Sequence, residues 1–344
     1  MYKIRKIKRQ KMVQNSSTFK AFRIEEIDGI YQGSVQEMDF GTLNNNEVLV
    51  KVHYSSLNYK DALSASGNKG VTRNYPHTPG IDAVGIIEKS NSDLYAVGEK
   101  VIVTSYDLGM NTDGGFAEYI QVPAEWAVKL PENITMKEAM IYGTAGLTAG
   151  MSVLRLTELI KPEDGKIAVS GATGGVGALS VSILSKLGYS VVAITGKETE
   201  WDYLMNLGAE EVLLRSEVEN FAKKPLLKPL FADAIDTVGG VILENIIKST
   251  NAIGVVTCCG NVASPKLDLT VFPFILRGVT LIGIDSQNYP MKYRKIVWNK
   301  LSQEWNPKQL NHTCNEIKLK DVGQKIELML QGKLKGRTVV TLVE

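Results

Sequence analysis

Residues 169–182 read VSGATGGVGALSVS: the end of an apolar run, four closely spaced glycines, then a helical pattern. The preceding run is strand-like from Lys166 to Gly171. Over 176–188, Val176, Leu179, Ile183, Leu184 and Leu187 fall near one helical face. Ala172, Gly174 and Gly177 match the G-x-G-x-x-G spacing with alanine at its first place. Such a turn lets backbone approach a pyrophosphate and sets the negative charge at a helix N-terminus, where unpaired N–H groups point outward. A glycine triplet alone is weak evidence, so its surroundings decide. KIAVSG, YSVVAIT, EVLLR, ADAIDTVGG, GVVTCCG and VTLIGIDS are six candidate strands with helical or loop segments between them. That alternation predicts an α/β fold, a doubly wound parallel sheet covered on both faces, with the glycine turn after its first strand.

The second of these strands ends Ala193-Ile194-Thr195-Gly196-Lys197. An NAD site places Asp or Glu near this point to hold the ribose hydroxyls. Here a hydroxyl and a cation stand instead, which favours a 2′-phosphate and hence NADPH, although Glu198 and Glu200 follow closely.

Upstream, from about Lys20 to Leu130, short β-branched runs are broken by Gly, Pro and Asn: FKAFRIEE, NEVLVKVHYSS, DAVGIIEKS, EKVIVTSYD and GGFAEYIQVP. TMKEAMIYGTAGLTAGMSVLRLTEL then carries a helical pattern, with Thr135 as N-cap and Glu138 three residues on. Beyond the sixth strand come a helical stretch (291–303), a second helix and a last strand that returns to the first domain, making that domain discontinuous.

The 344 residues suit two domains, and 44% hydrophobic with 22% charged residues describes a soluble globular chain. Residues 1–11 carry six Lys or Arg and no acid. The whole chain is +2 but the remainder is −4, which argues against nucleic acid as the main ligand. The basic start reads as a disordered extension, an upstream start before Met12, or a targeting arm. No apolar run reaches membrane-spanning length. Three cysteines, Cys258, Cys259 and Cys314, cannot build a disulfide scaffold, which points to a reducing compartment, by default the cytoplasm.

SSLNYKDAL (55–63), TPGIDAVG (78–85), IYGTAGLTA (141–149), SGATGGVG (170–177), DTVGG (236–240) and PFILR (273–277) occur in this order. From Lys20 to the C-terminus the chain resembles the medium-chain dehydrogenase/reductase superfamily. The resemblance is to its zinc-independent branch of YhdH/YhfP-type quinone oxidoreductases and acryloyl-CoA reductases. It implies a GroES-like β-barrel catalytic domain (19–140 and 290–344) and a Rossmann NADP-binding domain (141–289), with residues 1–18 as the extension. Zinc-dependent relatives carry Cys near position 58 and His-Glu after Gly80; this chain has Asn58, Ile81 and Asp82, and lacks the four-cysteine lobe. No metal is expected.

By the same resemblance Tyr59 lies beside the nicotinamide and Thr173, Gly174, Gly175 and Val176 hold the pyrophosphate. Thr195, Gly196 and Lys197 form the 2′-phosphate triplet, where relatives often have Ser-Gly-Arg. Arg215 is a further adenosine-side contact, and Asn261, Ile275 and Ser286 close over the nicotinamide end. Gly332 is a cofactor contact as well; relatives carry Leu at the place of Asn261 and a polar residue at that of Gly332, so these two contacts run through backbone. A homodimer is implied, along the edge beside VTLIGIDS.

A nicotinamide without a metal suits hydride delivery to an α,β-unsaturated carbonyl, where the protein must position the acceptor and stabilise negative charge on its oxygen. Asn58 and Tyr59 are the expected catalytic residues, and Arg73 a substrate-steering cation for an anion such as a CoA thioester. The main reading is thus an NADPH-dependent reductase of the acryloyl-CoA type. NADPH:quinone reduction and a non-catalytic NADPH-sensing protein are the alternatives.

Overall fold

The computed structural model describes residues 18–343. The basic stretch 1–11 lies outside the described residues, and Thr18, assigned above to the extension, opens the first strand.

The first region is a β structure. Its elements are β1 (Thr18–Ile27), β2 (Ile30–Asp39), β3 (Glu47–Leu57), α1 (Tyr59–Ala65), β4 (Asp82–Ser90), β5 (Lys100–Thr104), β6 (Tyr119–Pro123) and β7 (Ala127–Lys129). All five strand-like runs are strands. Missing from the sequence reading were β7 and β2, whose IYQGSVQEMD is exposed or half-exposed throughout and so carries little hydrophobic signal. Helix α2 (Met136–Thr157) follows, and its start is the predicted one: Thr135 Oγ1 accepts from the Glu138 N–H at 3.1 Å while the Glu138 carboxylate accepts from the Thr135 N–H at 2.8 Å.

The second region alternates as expected: β8 (Ile167–Ser170), α3 (Gly175–Lys186), β9 (Val191–Thr195), α4 (Trp201–Asn206), β10 (Glu211–Leu214), α5 (Arg215–Glu219), β11 (Asp233–Asp236), α6 (Gly240–Lys248), β12 (Val255–Cys258), α7 (Phe272–Arg277) and β13 (Thr280–Gly283). The sheet order is β10-β9-β8-β11-β12-β13, every pair parallel. Chain order therefore reverses beside β8, the switch point at which such sheets bind ligands beyond the strands' carboxyl ends.

The chain closes with α8 (Met291–Leu301), β14 (Cys314–Lys318), α9 (Val322–Leu330) and β15 (Arg337–Thr341). β15 pairs antiparallel with β3, so the last strand returns to the first sheet, whose order is β14-β15-β3-β4-β5-β7 with β6 also on β3. β1 and β2 form a two-stranded sheet of their own, and β14, for which the sequence carries no strand signal, pairs parallel with β15. Val297, Trp298 and Leu301 of α8 are fully buried in one core with Tyr142 and Leu147 of α2, Ile167 and Val169 of β8, and Val84 and Ile102 of the first sheet. Burying each such side chain contributes about 2 kcal/mol. The two sheets are thus joined by continuous apolar packing.

Candidate active site

The turn between β8 and α3 is built by close approach. A Cβ on Gly177 would lie 2.3 Å from the Gly171 carbonyl oxygen and 2.7 Å from Ala172 Cα, so only hydrogen fits where helix meets strand. Gly174 is the N-cap of α3, and its own N–H is turned back to the Gly171 carbonyl at 2.9 Å. The first amides of α3 have no intrahelical acceptor and form an anion cradle. A phosphoryl anion fits this donor set, and a side chain at 177 would push it apart.

Beside the cradle stands the end of β9. Thr173 and Thr195 are buried, with hydroxyls 3.4 Å apart. Thr195 Oγ1 accepts from the Lys197 N–H at 3.0 Å, and the Arg215 guanidinium lies 3.4–3.6 Å from where a Gly196 Cβ would be. Lys197 donates its ammonium to the Leu334 carbonyl at 2.6 Å, and partial burial holds it below the usual lysine range.

On the other side of the turn lies a buried polar hub centred on Asp82. Its carboxylate accepts from the Thr144 N–H (2.9 Å) and hydroxyl (2.6 Å), the Ser56 hydroxyl (2.6 Å) and the Asn58 amide (2.7 Å), and sits 3.6 Å from Arg337. Thr144 reaches Asp82 because α2 breaks at Gly143 (φ 49°, ψ −152°), where a Cβ would meet Asp82 Oδ2 at 2.3 Å. Arg337, 2% exposed, also donates to the Ile141 and Leu57 carbonyls and to Asn58 Oδ1, at 2.9, 3.2 and 3.1 Å. Its guanidinium lies 3.1 Å from the place of a Gly175 Cβ, so it connects the first turn of α3 to Asn58. Asp61 accepts from the Asn58, Gly80 and Ile81 N–H groups; burial, then Asp82, pushes its carboxyl up to about 7.

This hub revises the expectation for Asn58. Both its amide hydrogens are committed, to Asp82 and to the Ser56 carbonyl (3.1 Å), and Oδ1 accepts from Arg337. No hydrogen remains for a substrate oxygen. Asn58 is the N-cap residue of α1, as an Asn before a helix suggests, but its side chain serves the hub. Tyr59, next in the chain, is 47% exposed at the start of α1. Its neighbour Lys60 donates to Gln287 Oε1 at 2.6 Å, tying α1 to the segment after β13.

The remaining expected residues are scattered. The Ser286 carbonyl accepts from the buried Arg294 at 2.8 Å, and the same guanidinium donates to Thr104 of β5, which clamps this segment onto the first sheet. Asn261 is exposed, with its Cα 3.2 Å from the place of a Gly239 Cβ. Ile275 is 67% exposed on α7, Gly332 follows α9 with φ 67°, and Arg73 is an exposed loop residue. Among the described residues no hydrogen bond ties Arg73, Ile275 or Gly332 to the cradle. Cys259 donates to the Asp236 carbonyl at 3.3 Å, and burial pushes its thiol up, away from reactivity. No group of three or more His, Cys, Asp or Glu side chains able to hold a metal occurs among the described residues, and no described helix is long and apolar enough to cross a membrane.

Residues 44–132 match the alcohol dehydrogenase GroES-like domain family and 175–303 the zinc-binding dehydrogenase family. The chain is 42% identical to a Bacillus subtilis protein provisionally described as quinone oxidoreductase YhfP, over 95% of this chain and all of that one. Its structure, solved with NAD bound, superposes with a TM-score of 0.92, covering 95% of this chain and 100% of that chain. Acrylyl-CoA reductase AcuI of Ruegeria pomeroyi is 37% identical over 92% of this chain and 96% of its own length. The YhdH oxidoreductase of Salmonella enterica, solved in complex with NADP, gives a TM-score of 0.91 at 39% identity, covering 94% and 100% of the two chains.

Proposed function

The chain belongs to the zinc-independent YhdH/YhfP and acryloyl-CoA reductase branch of the medium-chain dehydrogenase/reductase superfamily, and from that membership we propose that it is an NADPH-dependent reductase of α,β-unsaturated carbonyl compounds. The observation that carries this is the pairing of the α3 cradle with an acid-free strand end. Thr173 to Val176 hold a pyrophosphate, while Thr195, Gly196, Lys197 and Arg215 receive a 2′-phosphate. AcuI supports an enoyl-CoA thioester as substrate; YhfP supports the second reading, quinone reduction in the same cleft.

When bound, NADPH supplies a hydride to the β-carbon of the acceptor. Tyr59, half-exposed at the head of α1, bears on the nicotinamide end and offers its hydroxyl to that cleft. Asn58 acts as a positioning residue: Asp82 and Arg337 fix its side chain, and Asn58 in turn fixes the start of α1. Ser286, Asn261 and Ile275 lie on the segments that border the nicotinamide end, Gly332 contributes backbone, and Arg73 steers an anionic substrate. The division into a catalytic domain (19–140 and 290–344) and a nucleotide domain (141–289) belongs to the same proposal. So does a homodimer through the free edge of β13, since an unpaired strand edge accepts a partner. A cytoplasmic location is supported by the absence of disulfides among three free cysteines.

NADPH and NADH titration followed by turnover with acryloyl-CoA and 1,4-benzoquinone tests the proposal. Faster oxidation of NADPH with acryloyl-CoA is expected. A preference for benzoquinone selects the second reading, and binding without turnover of any enone, thioester or quinone leaves only a sensing role.

A further inference from the structure

Three consecutive residues near the C-terminus, Leu334, Lys335 and Gly336, each bond to the nucleotide side of the site. The Leu334 carbonyl takes the Lys197 ammonium at 2.6 Å. The Gly336 N–H donates to the Thr173 carbonyl at 2.9 Å, anchoring the segment to the cradle itself. Between them Lys335 places its ammonium 2.7 Å from the Glu200 carboxylate and 5.2 Å from the centre of the Tyr203 ring. Lys335 is half-exposed, whereas the Glu200 side chain is only 19% exposed. Glu200 is also an anion set against the cluster of Lys197 and Arg215. It acts on Lys197 through space, as does Lys335 with opposite sign.

An unpaired carboxylate here would repel a 2′-phosphate. We propose that Lys335 is a specificity-determining residue for NADPH: by neutralising Glu200 it leaves the positive charge of Lys197 and Arg215 free to act on the 2′-phosphate. The inference rests on the NADPH reading above. It gives the Leu334–Gly336 segment a definite role, because this stretch, carried by the strand that joins the first sheet, completes a phosphate site whose other half belongs to the second. It also accounts for how a chain with lysine at position 197, which lacks the bidentate fork of arginine, and with two glutamates just beyond it, keeps a net positive site.

The test is titration of the full chain with NADPH, NADH, 2′,5′-ADP and 5′-AMP, following nicotinamide fluorescence or calorimetric heat. Lys335→Ala is expected to weaken NADPH and 2′,5′-ADP roughly ten-fold, leaving NADH and 5′-AMP within about two-fold. Glu200→Gln is expected to tighten NADPH about three-fold, and the double variant to return to within about three-fold of the parent. Both side chains reach solvent, and unchanged thermal melting shows that the variants fold. An NADPH-to-NADH affinity ratio unmoved by either single change overturns the role of Lys335 while leaving the NADPH reading intact. A parent protein that binds the two nucleotides equally overturns both.

Discussion

Replacing Arg337 by methionine removes the donor at the centre of the buried hub while keeping an unbranched stem. The Ile141 and Leu57 carbonyls lose a donor each, Asn58 Oδ1 loses its partner, and Asp82 loses the cation 3.6 Å away. Breaking a buried ion pair from one side costs about 3–5 kcal/mol. Asp82 nevertheless keeps the Thr144 N–H and hydroxyl, the Ser56 hydroxyl and the Asn58 amide, and methionine fills much of the vacated space, so the cost falls near the lower end, about 3 kcal/mol. With a urea m-value of about 3 kcal/mol per molar, the midpoint drops by roughly 1 M. Far-UV circular dichroism against urea reads this directly. Asp82→Asn alone strands Arg337 instead, and the double variant costs at least about 1.5 kcal/mol less than the two singles added, because one pair is being broken twice. Because Arg337 also packs against Gly175, NADPH affinity falls in parallel. A midpoint shift below about 0.3 M for Arg337→Met, or strict additivity with Asp82→Asn, refutes the claim that this pair organises the hub.

Gly177→Ala forces a methyl to within 2.3 Å of a backbone oxygen, and a loss of about 1–3 kcal/mol with at least ten-fold weaker NADPH binding is expected from melting and titration. Tyr59→Phe is expected to lower kcat about ten-fold with no change in melting temperature, because the side chain is half-exposed; Asn58→Ala lowers both kcat and stability, the latter by about 1–3 kcal/mol. Full activity in both variants removes Asn58 and Tyr59 from the catalytic scheme. Asp233 has Oδ2 buried without a partner, and burial pushes its carboxyl up to about 7 from an unfolded value near 3.8. The native state therefore holds the proton more tightly, a stabilisation complete below about pH 4 and lost as pH rises through 7, at about 1.4 kcal/mol per unit between those limits. Melting between pH 5 and 7 is expected to fall more steeply for the parent than for Asp233→Asn; parallel curves would show that Asp233 is already ionised at pH 5.

Periodicity and glycine spacing were enough to read the second sheet, since buried parallel strands are nearly continuous apolar runs and the glycine turn sits between one such run and a helix. The acid-free end of β9 was legible for the same reason, a short local segment with fixed register to the turn. The strands β2 and β14 were not, because exposed strands carry no hydrophobic alternation. Nor were the long-range partners of Asn58: the sequence points to a catalytic residue, whereas Asp82 and Arg337, which bond its side chain, lie 24 and 279 residues away.

Local chemistry in the sequence therefore determined the strand–turn–helix unit, the anion it can hold and the family to which the chain belongs. Tertiary structure alone decided what surrounds that unit. The register of β15 on β3 brings Arg337 to Asn58, the break at Gly143 brings Thr144 to Asp82, and the segment before β15 brings Lys335 to Glu200. Those pairings depend on long-range strand order and on a single positive φ, and neither leaves a mark within any one stretch of residues.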